Sequence, residues 1–392
     1  MILENFFIKE SLEIDWDFVW GLPHFRDMRE TQQNPRWHME GHVENHTRLV
    51  VDNMREYILN NMPDRNLREQ RLLMLSALFH DVGKPKTTFV GKDGNFHSYG
   101  HEDVGSKIVR QMLWDWPIYE REYITHMVKW HMSPLFFKKS NNPEDMVNKI
   151  TKVLPYKDIY ALKMADLEGA LQDPEFSTKE QDRGILNEFL EIAERLNRIP
   201  NLSMLKAFPS RENPELNNWV GCSGDMPYYG KDEAVVHVMI GLPGSGKNTY
   251  LDYMIEKNPE KEFIILSRDD IRVELGYCTA DEKIVGTDAQ EKKVTQIFNE
   301  RFLSAVNEKK EIIINNINLS KKRRKALKSF LGKRKVTWCY WYIEAPTFQD
   351  NIERRKGQIS ESVFHNMVQN FDFPEPEEYT NFTVVKQIKN RK

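Results

Sequence analysis

The stretch Val235-Val236-His237-Val238-Met239-Ile240 runs directly into Gly241-Leu242-Pro243-Gly244-Ser245-Gly246-Lys247-Asn248-Thr249. An apolar, β-branched run that enters a glycine-rich turn and then a helical pattern is the context of a phosphate-binding loop. Its glycines let successive main-chain N–H groups converge on phosphate oxygens. We therefore predict that the second half of the chain binds a nucleoside triphosphate. The expected contacts come from Gly241, Gly244, Ser245, Gly246, Lys247, Asn248 and Thr249.

The apolar pattern divides the chain into a helical part and an alternating part. Up to about residue 201, apolar residues recur at helical spacing, as in 71–79 and 158–166, and strand-like runs are scarce. After a segment rich in Pro, Asn and Gly, strand-like and helical patterns alternate, which is typical of a parallel α/β sheet. The expected strands are 235–240, 262–267, 311–316 and 335–344.

The predicted fold is therefore multidomain, an all-α domain followed by an α/β P-loop domain with a parallel sheet. The predicted ranges are 1–205 for the helical domain, 206–231 for a linker and 232–392 for the P-loop domain. The length of 392 residues gives each domain room for its own core.

Composition favours a cytoplasmic protein without membrane contact. Apolar residues make up 40% and charged residues 29% of the chain, which is ordinary for globular protein. No apolar run approaches the roughly 20 residues that cross a bilayer. The acidic first residues lack the basic head of a signal peptide. Three scattered cysteines, Cys222, Cys278 and Cys339, fit a reducing compartment.

The second expected strand of the P-loop part ends in Arg268-Asp269-Asp270-Ile271-Arg272. Ligands of an open α/β sheet bind at the carboxyl ends of its strands, where a carboxylate would take the proton of an attacking hydroxyl. Arg272, on the same helical face as Asp269, would hold an acceptor phosphate. The alternative is that Asp269 or Asp270 only caps the following helix.

Further motifs follow in order: Asn318-Leu319 with Arg323-Arg324, and then an arginine-rich stretch after Tyr342-Ile343-Glu344-Ala345-Pro346. With the glycine loop and RDDxxR, this series resembles the 5′-hydroxyl polynucleotide kinases over residues 235 to about 370. The resemblance implies that Asp269 is the general base, and that Arg272 and Arg324 bind the substrate. It implies Lys247 and the lid residue Arg354 at the transferring phosphate, with Arg355 as the alternative.

The implied cofactor is ATP, or another nucleoside triphosphate, with Mg²⁺. Two departures from the family pattern concern the magnesium ion. Asn248 stands where Ser or Thr is usual, although Thr249 follows it, and Asn315-Asn316 stands where the family has an Asp. The magnesium shell is therefore expected to be poor in anionic ligands.

The helical part carries His46, His80-Asp81 and Asp166 within or at the ends of helical stretches. Neutral imidazoles and carboxylates are suitable ligands for a divalent metal that activates water. The helices of a bundle can bring such residues together from distant sequence positions. The basic cluster of 321–325 and 333–335 would guide a nucleic-acid backbone or simply form a solvated helix face.

The H…HD…D series, with LFHDVGKP around His80-Asp81, resembles the HD phosphohydrolase superfamily over roughly 36–170. The resemblance implies one or two divalent metals, Mn, Ni, Co or Fe, with Asp81 as the bridge and Lys84 stabilising phosphate oxygens. The implied metal ligands are His46, His80, Asp81, His101, His131 and Asp166. His42, one helical turn before His46, stays a candidate for a ligand or a substrate contact.

The two parts together resemble the bifunctional HD-type end-healing polynucleotide kinases. That resemblance implies RNA or DNA ends as substrates and a nucleic-acid ligase as the next enzyme. The kinase half would phosphorylate a 5′-OH, and the HD half would remove a 2′,3′-cyclic, 2′- or 3′-phosphate. Three alternatives stay open: a nucleotidase fused to a small-molecule nucleoside or nucleotide kinase, a triphosphate-binding sensor with an inactive kinase half, and an HD half that degrades a signalling nucleotide.

Overall fold

The computed structural model describes residues 1–200, 219–221, 232–278 and 287–387. The chain forms two compact units, Met1–Ala207 and Phe208–Lys392. The first unit is helical, and the second contains a sheet with five parallel strands. This confirms the predicted fold class. None of the helices in the described parts of the chain is long and apolar enough to span a membrane.

The first unit is built around α3, which packs against α4 and α10, and around the pair α6 and α7. Its helices are α1 Trp16–Gly21, α2 Pro23–Met28, α3 Val43–Asn61, α4 Leu67–Phe79, α5 Lys84–Thr87, α6 His101–Met112, α7 Ile118–Trp130, α8 Ser133–Phe136, α9 Pro143–Thr151, α10 Tyr156–Gly169 and α11 Lys179–Leu196. Asn66 caps α4 by accepting from the Glu69 N–H at 3.0 Å, as expected of a short polar side chain at a helix start. Along α4, every residue from Arg71 to Phe79 is buried, so this helix forms the centre of the unit.

The helical unit also contains one short β-hairpin. A small antiparallel hairpin joins β1 Phe89–Val90 to β2 Phe96–His97. The loop after α4 lies directly against α6, because a Cβ atom on Gly83 would come within 2.0 Å of the His101 carbonyl oxygen. Glycine at this position therefore lets the His80-Asp81 segment approach the start of α6.

The second unit is a six-stranded sheet in the order β3-β8-β7-β4-β6-β5. Its strands are β3 Trp219–Gly221, β4 Ala234–Ile240, β5 Phe263–Leu266, β6 Glu311–Asn315, β7 Val336–Glu344 and β8 Asn381–Gln387. Only β3, beside β8, is antiparallel to its neighbour. The helices are α12 Lys247–Lys257, α13 Arg268–Glu274, α14 Asp288–Asn307, α15 Lys321–Leu331, α16 Phe348–Glu353 and α17 Glu361–Gln369.

The four strands expected from the sequence all lie in this sheet, and two further strands were missed. One is β8, and the other is β3, which lies inside the range 206–231 that we expected to be a linker. The rest of that range lies outside the described residues. Strands β4, β6 and β5 end on the same edge of the sheet, since they are parallel, and this edge carries the glycine loop and Asp269.

Candidate metal centre and nucleotide site

The six expected metal ligands meet in one place in the helical unit. His46 lies in α3 and Asp166 in the last turn of α10, while His80 and Asp81 directly follow α4. His101 is the first residue of α6, and His131 directly follows α7. All six side chains are buried. Five helices, whose ligands are spread over 120 residues of the sequence, therefore supply one cluster.

Asp81 stands between two groups of imidazoles. Its Oδ2 lies 3.1 Å from His80 Nε2 and 3.7 Å from His46 Nε2. Its Oδ1 lies 3.2 Å from His101 Nε2 and 4.0 Å from His131 Nε2. In each group the three possible ligand atoms lie within 4.8 Å of one another, which is the spacing of a metal site. Asp166 completes the first group, with its Oδ1 3.0 Å from His46 Nε2.

The ring orientation of these histidines is set by hydrogen bonds on their other nitrogen. The Nδ1 atoms of His80, His101 and His131 donate to main-chain carbonyls at 2.7, 2.8 and 2.7 Å. A carbonyl only accepts, so Nδ1 carries the proton and a neutral ring points its Nε2 lone pair into the cluster. An outer hydrogen bond of this kind is the usual support of a metal-binding histidine.

This arrangement fits a bound cation. His101 Nε2 lies 3.2 Å from His131 Nε2. Two lone pairs that face each other at this distance repel unless a cation or a proton lies with them. Burial, with His101 and His80 nearby, holds the pKa of His131 well below its ordinary value, so a proton is disfavoured there. The donor set of nitrogens and carboxylate oxygens suits a divalent transition metal.

The carboxylates of the cluster stay ionised. Burial acts to raise the pKa of Asp81, but His80 and Lys84 outweigh it and hold the pKa well below the ordinary value. At Asp166 burial likewise acts to raise the pKa, and Lys163 and His46 outweigh it and lower the pKa. Ionised carboxylates are the form that binds metal.

Glu40, which was missed in the sequence, supports His46. Its Oε1 lies 2.9 Å from His46 Nδ1 and 2.8 Å from His38 Nδ1, and its Oε2 accepts from the Leu171 N–H at 2.9 Å. Burial acts to raise the pKa of Glu40, but hydrogen bonds from His38 and His46 lower it to about 2. Its position two residues after His38 was the only available signal.

Two lysines lie beside the cluster. Lys84 Nζ contacts Asp81 Oδ2 and Gln33 Oε1, each at 2.6 Å. Lys163 Nζ donates to Asp166 Oδ2 at 2.6 Å, a contact that the spacing of three residues along α10 could have indicated. Both lysines line a cavity of about 550 Å³ together with Asp81, His101, His131 and Asp166. His42 precedes α3 and pairs its backbone with Gln32.

In the second unit, the glycine loop follows β4 and begins α12. Gly244 and Gly246 have φ values of +76° and +93°, which favour glycine. Gly241 packs against β7, where a Cβ atom would come within 2.4 Å of the Ile343 carbonyl oxygen. Lys247 Nζ donates to the carbonyls of Gly241 and Leu242 at 2.9 and 2.8 Å, so its ammonium lies over the loop.

The loop and the expected general base line one cavity of about 390 Å³. Lys247, Asp269 and Arg354 all face it, and Arg354 Nη1 donates to the Gly244 carbonyl at 3.0 Å. Further lining residues include Gly244, Gly246, Asn248, Thr249, Asp270, Asn316, Arg355 and Gln387. Gln387 at the end of β8 was missed, because that strand was not predicted.

The cap of the helix that contains Asp269 is supplied by Ser267, where the sequence left Asp269 or Asp270 as candidates. Ser267 caps α13 by accepting from the Asp270 N–H at 3.2 Å. The side chain of Asp269 is 57% exposed and accepts from Arg272 Nη1 at 2.7 Å. Arg272 also forms a two-point contact with Glu291, at 2.7 and 2.8 Å. Arg272 thus lies beside the expected base, but most of its N–H donors already bind Asp269 and Glu291 within the protein.

The expected magnesium region is lined by amides. Asn248 Oδ1 accepts from Asn315 Nδ2 at 3.0 Å, and Asn316 Oδ1 accepts from the Arg268 N–H at 3.1 Å. Thr249 lines the same cavity. The two asparagines that depart from the family pattern therefore lie at the site, on neighbouring elements.

The surroundings of Arg324 do not favour the substrate-binding role that the resemblance implied. It is fully buried in α15, and its guanidinium binds both carboxylate oxygens of Glu378 at 2.7 and 3.1 Å. It also donates to the carbonyls of Asn318, Leu319 and Asp372 at 3.1, 2.8 and 2.9 Å. All five N–H donors are thus used within the protein. The sequence signal could not separate Arg324 from the neighbouring Arg323, which is exposed.

Comparison with known protein families decides the domain types. Residues 43–155 match the family model described as the HD domain, and residues 236–374 match the one described as an AAA domain. The chain thus carries an HD domain followed by an AAA-type P-loop domain. The residues matched to the HD domain contain five of the six expected metal ligands, and Asp166 lies just beyond them.

Similar proteins match parts of the chain. Heterogeneous nuclear ribonucleoprotein U-like protein 2 of Homo sapiens is 26% identical over 160 residues, which are 38% of this chain. The chain spans about a fifth, 21%, of the length of the curated relatives it matches. A chain of the Pnkp1/Rnl/Hen1 RNA repair complex is 17% identical, with a TM-score of 0.30, over 36% of this chain and 45% of that one. Kti12 of Chaetomium thermophilum with ADP-AlF3 is 16% identical, with a TM-score of 0.28, over 40% of this chain and 90% of that one.

Proposed function

We propose that this protein is a bifunctional nucleic-acid end-healing enzyme. Its kinase domain transfers the γ-phosphate of ATP, or another nucleoside triphosphate, to a 5′-hydroxyl end of RNA or DNA. Its HD domain hydrolyses a 2′,3′-cyclic, 2′- or 3′-phosphate end and leaves a hydroxyl. Ends prepared in this way are the substrates of a nucleic-acid ligase, which is the enzyme that would act next.

The kinase proposal rests on one observation, the cavity shared by Asp269, Lys247 and Arg354. Asp269 takes the proton of the 5′-hydroxyl while the hydroxyl oxygen attacks the γ-phosphorus. The bond from the γ-phosphorus to the bridging oxygen breaks, and the nucleoside diphosphate leaves. Lys247 and Arg354 offset the charge on the transferring phosphoryl group, and the loop N–H groups bind the remaining phosphates.

The HD proposal rests on the buried cluster around Asp81. A divalent metal held by these side chains would lower the pKa of a coordinated water and polarise the phosphate ester. We propose His46, His80, Asp81, His101, His131 and Asp166 as the ligands. Asp81 presents one oxygen to each imidazole group, which suits it to bridge two ions. Lys84 and Lys163 bring positive charge to the cavity where the phosphate would bind.

A polynucleotide acceptor is supported by the exposed basic face of α15. Lys322, Arg323 and Lys325 are exposed there. The pKa of Arg268, which begins the helix of Asp269, is lowered by burial and by the nearby charges of Arg272 and Arg323. We therefore propose Arg323, in place of Arg324, as a contact to the phosphate backbone of the acceptor strand, together with Arg272.

The magnesium region favours one alternative, a triphosphate-binding sensor without turnover. The side chains of Asn248 and Asn315 form a hydrogen bond with each other. They stand where the family pattern has a hydroxyl and a carboxylate that would bind the magnesium ion. Tight triphosphate binding without transfer of the γ-phosphate would support this alternative. A nucleotidase fused to a small-molecule kinase would instead phosphorylate a free nucleoside faster than a strand end.

The test is a set of incubations with single-stranded oligonucleotides that have a 5′-hydroxyl and a labelled 3′-phosphate, 2′-phosphate or 2′,3′-cyclic phosphate. Each contains ATP, a free nucleoside as competing acceptor and one of a panel of divalent metals. The proposal predicts that the strands gain a 5′-phosphate and that at least one of these labelled phosphate forms is removed. Transfer only to free nucleosides, or no transfer with any metal, would contradict the kinase half. Retention of every phosphate form at the other end would contradict the HD half.

A further inference from the structure

The cavity of the HD domain has an aromatic edge, formed by the β1–β2 hairpin and the turn that follows it. The rings of Phe89 and His97 lie 5.8 Å apart between centroids, and those of His97 and Tyr99 are stacked at 5.2 Å with an interplanar angle of 19°. The other end of this stack is open to solvent, since Tyr99 is 73% exposed. Tyr99 thus presents a large aromatic surface at the rim of the cavity.

Hydrogen bonds hold this stack in place. The Tyr99 hydroxyl lies 3.1 Å from His97 Nδ1, and His97 Nε2 lies 3.0 Å from Asp93 Oδ1. A carboxylate accepts, so a neutral His97 donates from Nε2 and accepts the tyrosine hydroxyl at Nδ1. The ring of Tyr99 is therefore oriented before any ligand binds, which lowers the entropy cost of binding.

The short turn from Ser98 to His101 connects the aromatic stack to the cluster of proposed metal ligands. Ser98 accepts from His101 Nδ1 at 2.8 Å through its carbonyl, and its hydroxyl lies 2.7 Å from that of Thr88. Tyr99 and His101 are two Cα steps apart, which is at most about 7.6 Å. Tyr99, Asp81 and His131 line the same cavity, together with Phe136, which is 39% exposed. An aromatic platform therefore lies within one nucleotide's reach of the cluster.

We propose that Tyr99 is a stacking platform for the nucleobase of the nucleotide whose phosphate is removed. This inference rests on the proposed phosphate removal at strand ends and names its substrate class, which is a base-bearing terminal nucleotide. Every base has a π-face, so stacking tolerates any sequence. Loss of one base–aromatic stack weakens binding by about 5- to 150-fold.

The first experiment measures binding and does not depend on turnover. A strand with 2-aminopurine as its 3′-terminal base and a non-hydrolysable 3′-phosphonate is titrated with metal-loaded protein. Quenching of the 2-aminopurine fluorescence reports stacking. We expect quenching with the natural protein and with Tyr99→Phe, and its loss with Tyr99→Leu. Tyr160→Leu is the matched control, since Tyr160 lines a different cavity of the same domain.

The second experiment compares kcat/KM for a 3′-phosphate strand with a terminal base and for the same strand with an abasic terminal sugar. We expect a preference for the base of about 10-fold or more that Tyr99→Leu removes. Equal kcat/KM for both strands, or equal quenching in Tyr99→Leu, would overturn the platform. If the natural protein hydrolyses neither strand, phosphate removal from ends is wrong, and the quenching still decides the platform.

Discussion

His101 and His131 face each other through their Nε2 atoms at 3.2 Å, while each uses its Nδ1 atom to bind a main-chain carbonyl. The carbonyls fix the tautomers, so the two lone pairs are held together by the fold itself. Asp81 adds a carboxylate oxygen 3.2 Å from His101 Nε2. The protein therefore concentrates electron pairs in a buried site, which a divalent cation would stabilise.

Glu40 is expected to strengthen metal binding without touching the metal. Glu40→Gln keeps the size of the side chain but removes the charge that orients His46, so we expect metal affinity to fall about 10- to 100-fold. Calorimetric titration of metal-free protein with Mn²⁺ measures this. Glu44→Gln is the matched control, because Glu44 pairs only with Arg29 and Arg48 among the ion pairs of the described residues. Equal affinities of Glu40→Gln and the natural protein would contradict the role of Glu40.

Asp269 is expected to be essential for phosphorylation of a 5′-hydroxyl. Asp269→Asn keeps the shape of the side chain but cannot accept the proton, so we expect kcat to fall by about 10²- to 10⁴-fold. Phosphate removal by the HD domain should not change. Asp270→Asn serves as the neighbouring control and should keep most of the kinase rate. A kinase rate in Asp269→Asn within a few-fold of the natural rate would show that another group takes the proton.

Lys247 is expected to bind the triphosphate. Its ammonium lies on the carbonyls of Gly241 and Leu242, from which it would move to the β- and γ-phosphates. Lys247→Met should weaken ATP binding by at least about 10-fold, since a charge-assisted contact of about 1.5–3 kcal/mol is lost. Equilibrium binding of a fluorescent ATP analogue checks this. The control Lys257→Met, at the other end of α12, should bind the ATP analogue normally. If Lys247→Met bound the analogue as tightly as the natural protein, the role of Lys247 in binding the triphosphate would be contradicted.

Arg323 and Arg324 are adjacent but are expected to behave differently. Arg324→Met leaves Glu378 buried without its partner, so we expect the kinase domain to lose about 3–5 kcal/mol of stability, measured by thermal unfolding. Arg323→Ala should leave stability unchanged and weaken strand binding, with the slope of log K against log salt reduced by about 0.7.

The control for Arg323 is Lys309→Ala, in the turn that precedes β6 and so at the opposite end of the strands from the glycine loop. It should change neither stability nor strand binding. If Arg324→Met proved as stable as the natural protein while losing strand binding, the structural role of Arg324 would be refuted.

Local sequence patterns were sufficient for four strands of the sheet, because β4, β5, β6 and β7 are apolar runs with clear flanking turns. They were not sufficient for β8, whose run Asn381–Gln387 mixes polar and apolar residues and is stabilised by pairing with β7. The same holds for β3, which is only three residues long and forms at the edge of the sheet. Strands that depend on a neighbour leave a weak local signal.

The candidate site residues also divide into those with a local sequence signal and those that depend on tertiary contacts. His80-Asp81 stands out locally, whereas Glu40 becomes meaningful only when the fold brings it to His46. Arg324 has a sequence signal for function but a structural contact in the fold, because its burial depends on Glu378, 54 residues further along the chain. A sequence shows which side chains are able to bind metal or phosphate, but the partner that occupies a donor is set by tertiary packing.

The most direct test of the proposed centre is to measure metal content and phosphate removal together, in the natural protein and in Asp81→Ala. Metal-free protein is titrated with Mn²⁺, bound metal per chain is counted, and release of a 3′-phosphate is followed in the same samples. We predict one or two ions per chain in the natural protein and phosphate removal that rises with their binding. Asp81→Ala should lose both the bound metal and phosphate removal, with kinase activity intact. Full phosphate release by metal-free protein, or equal metal content and activity in Asp81→Ala, would contradict the account.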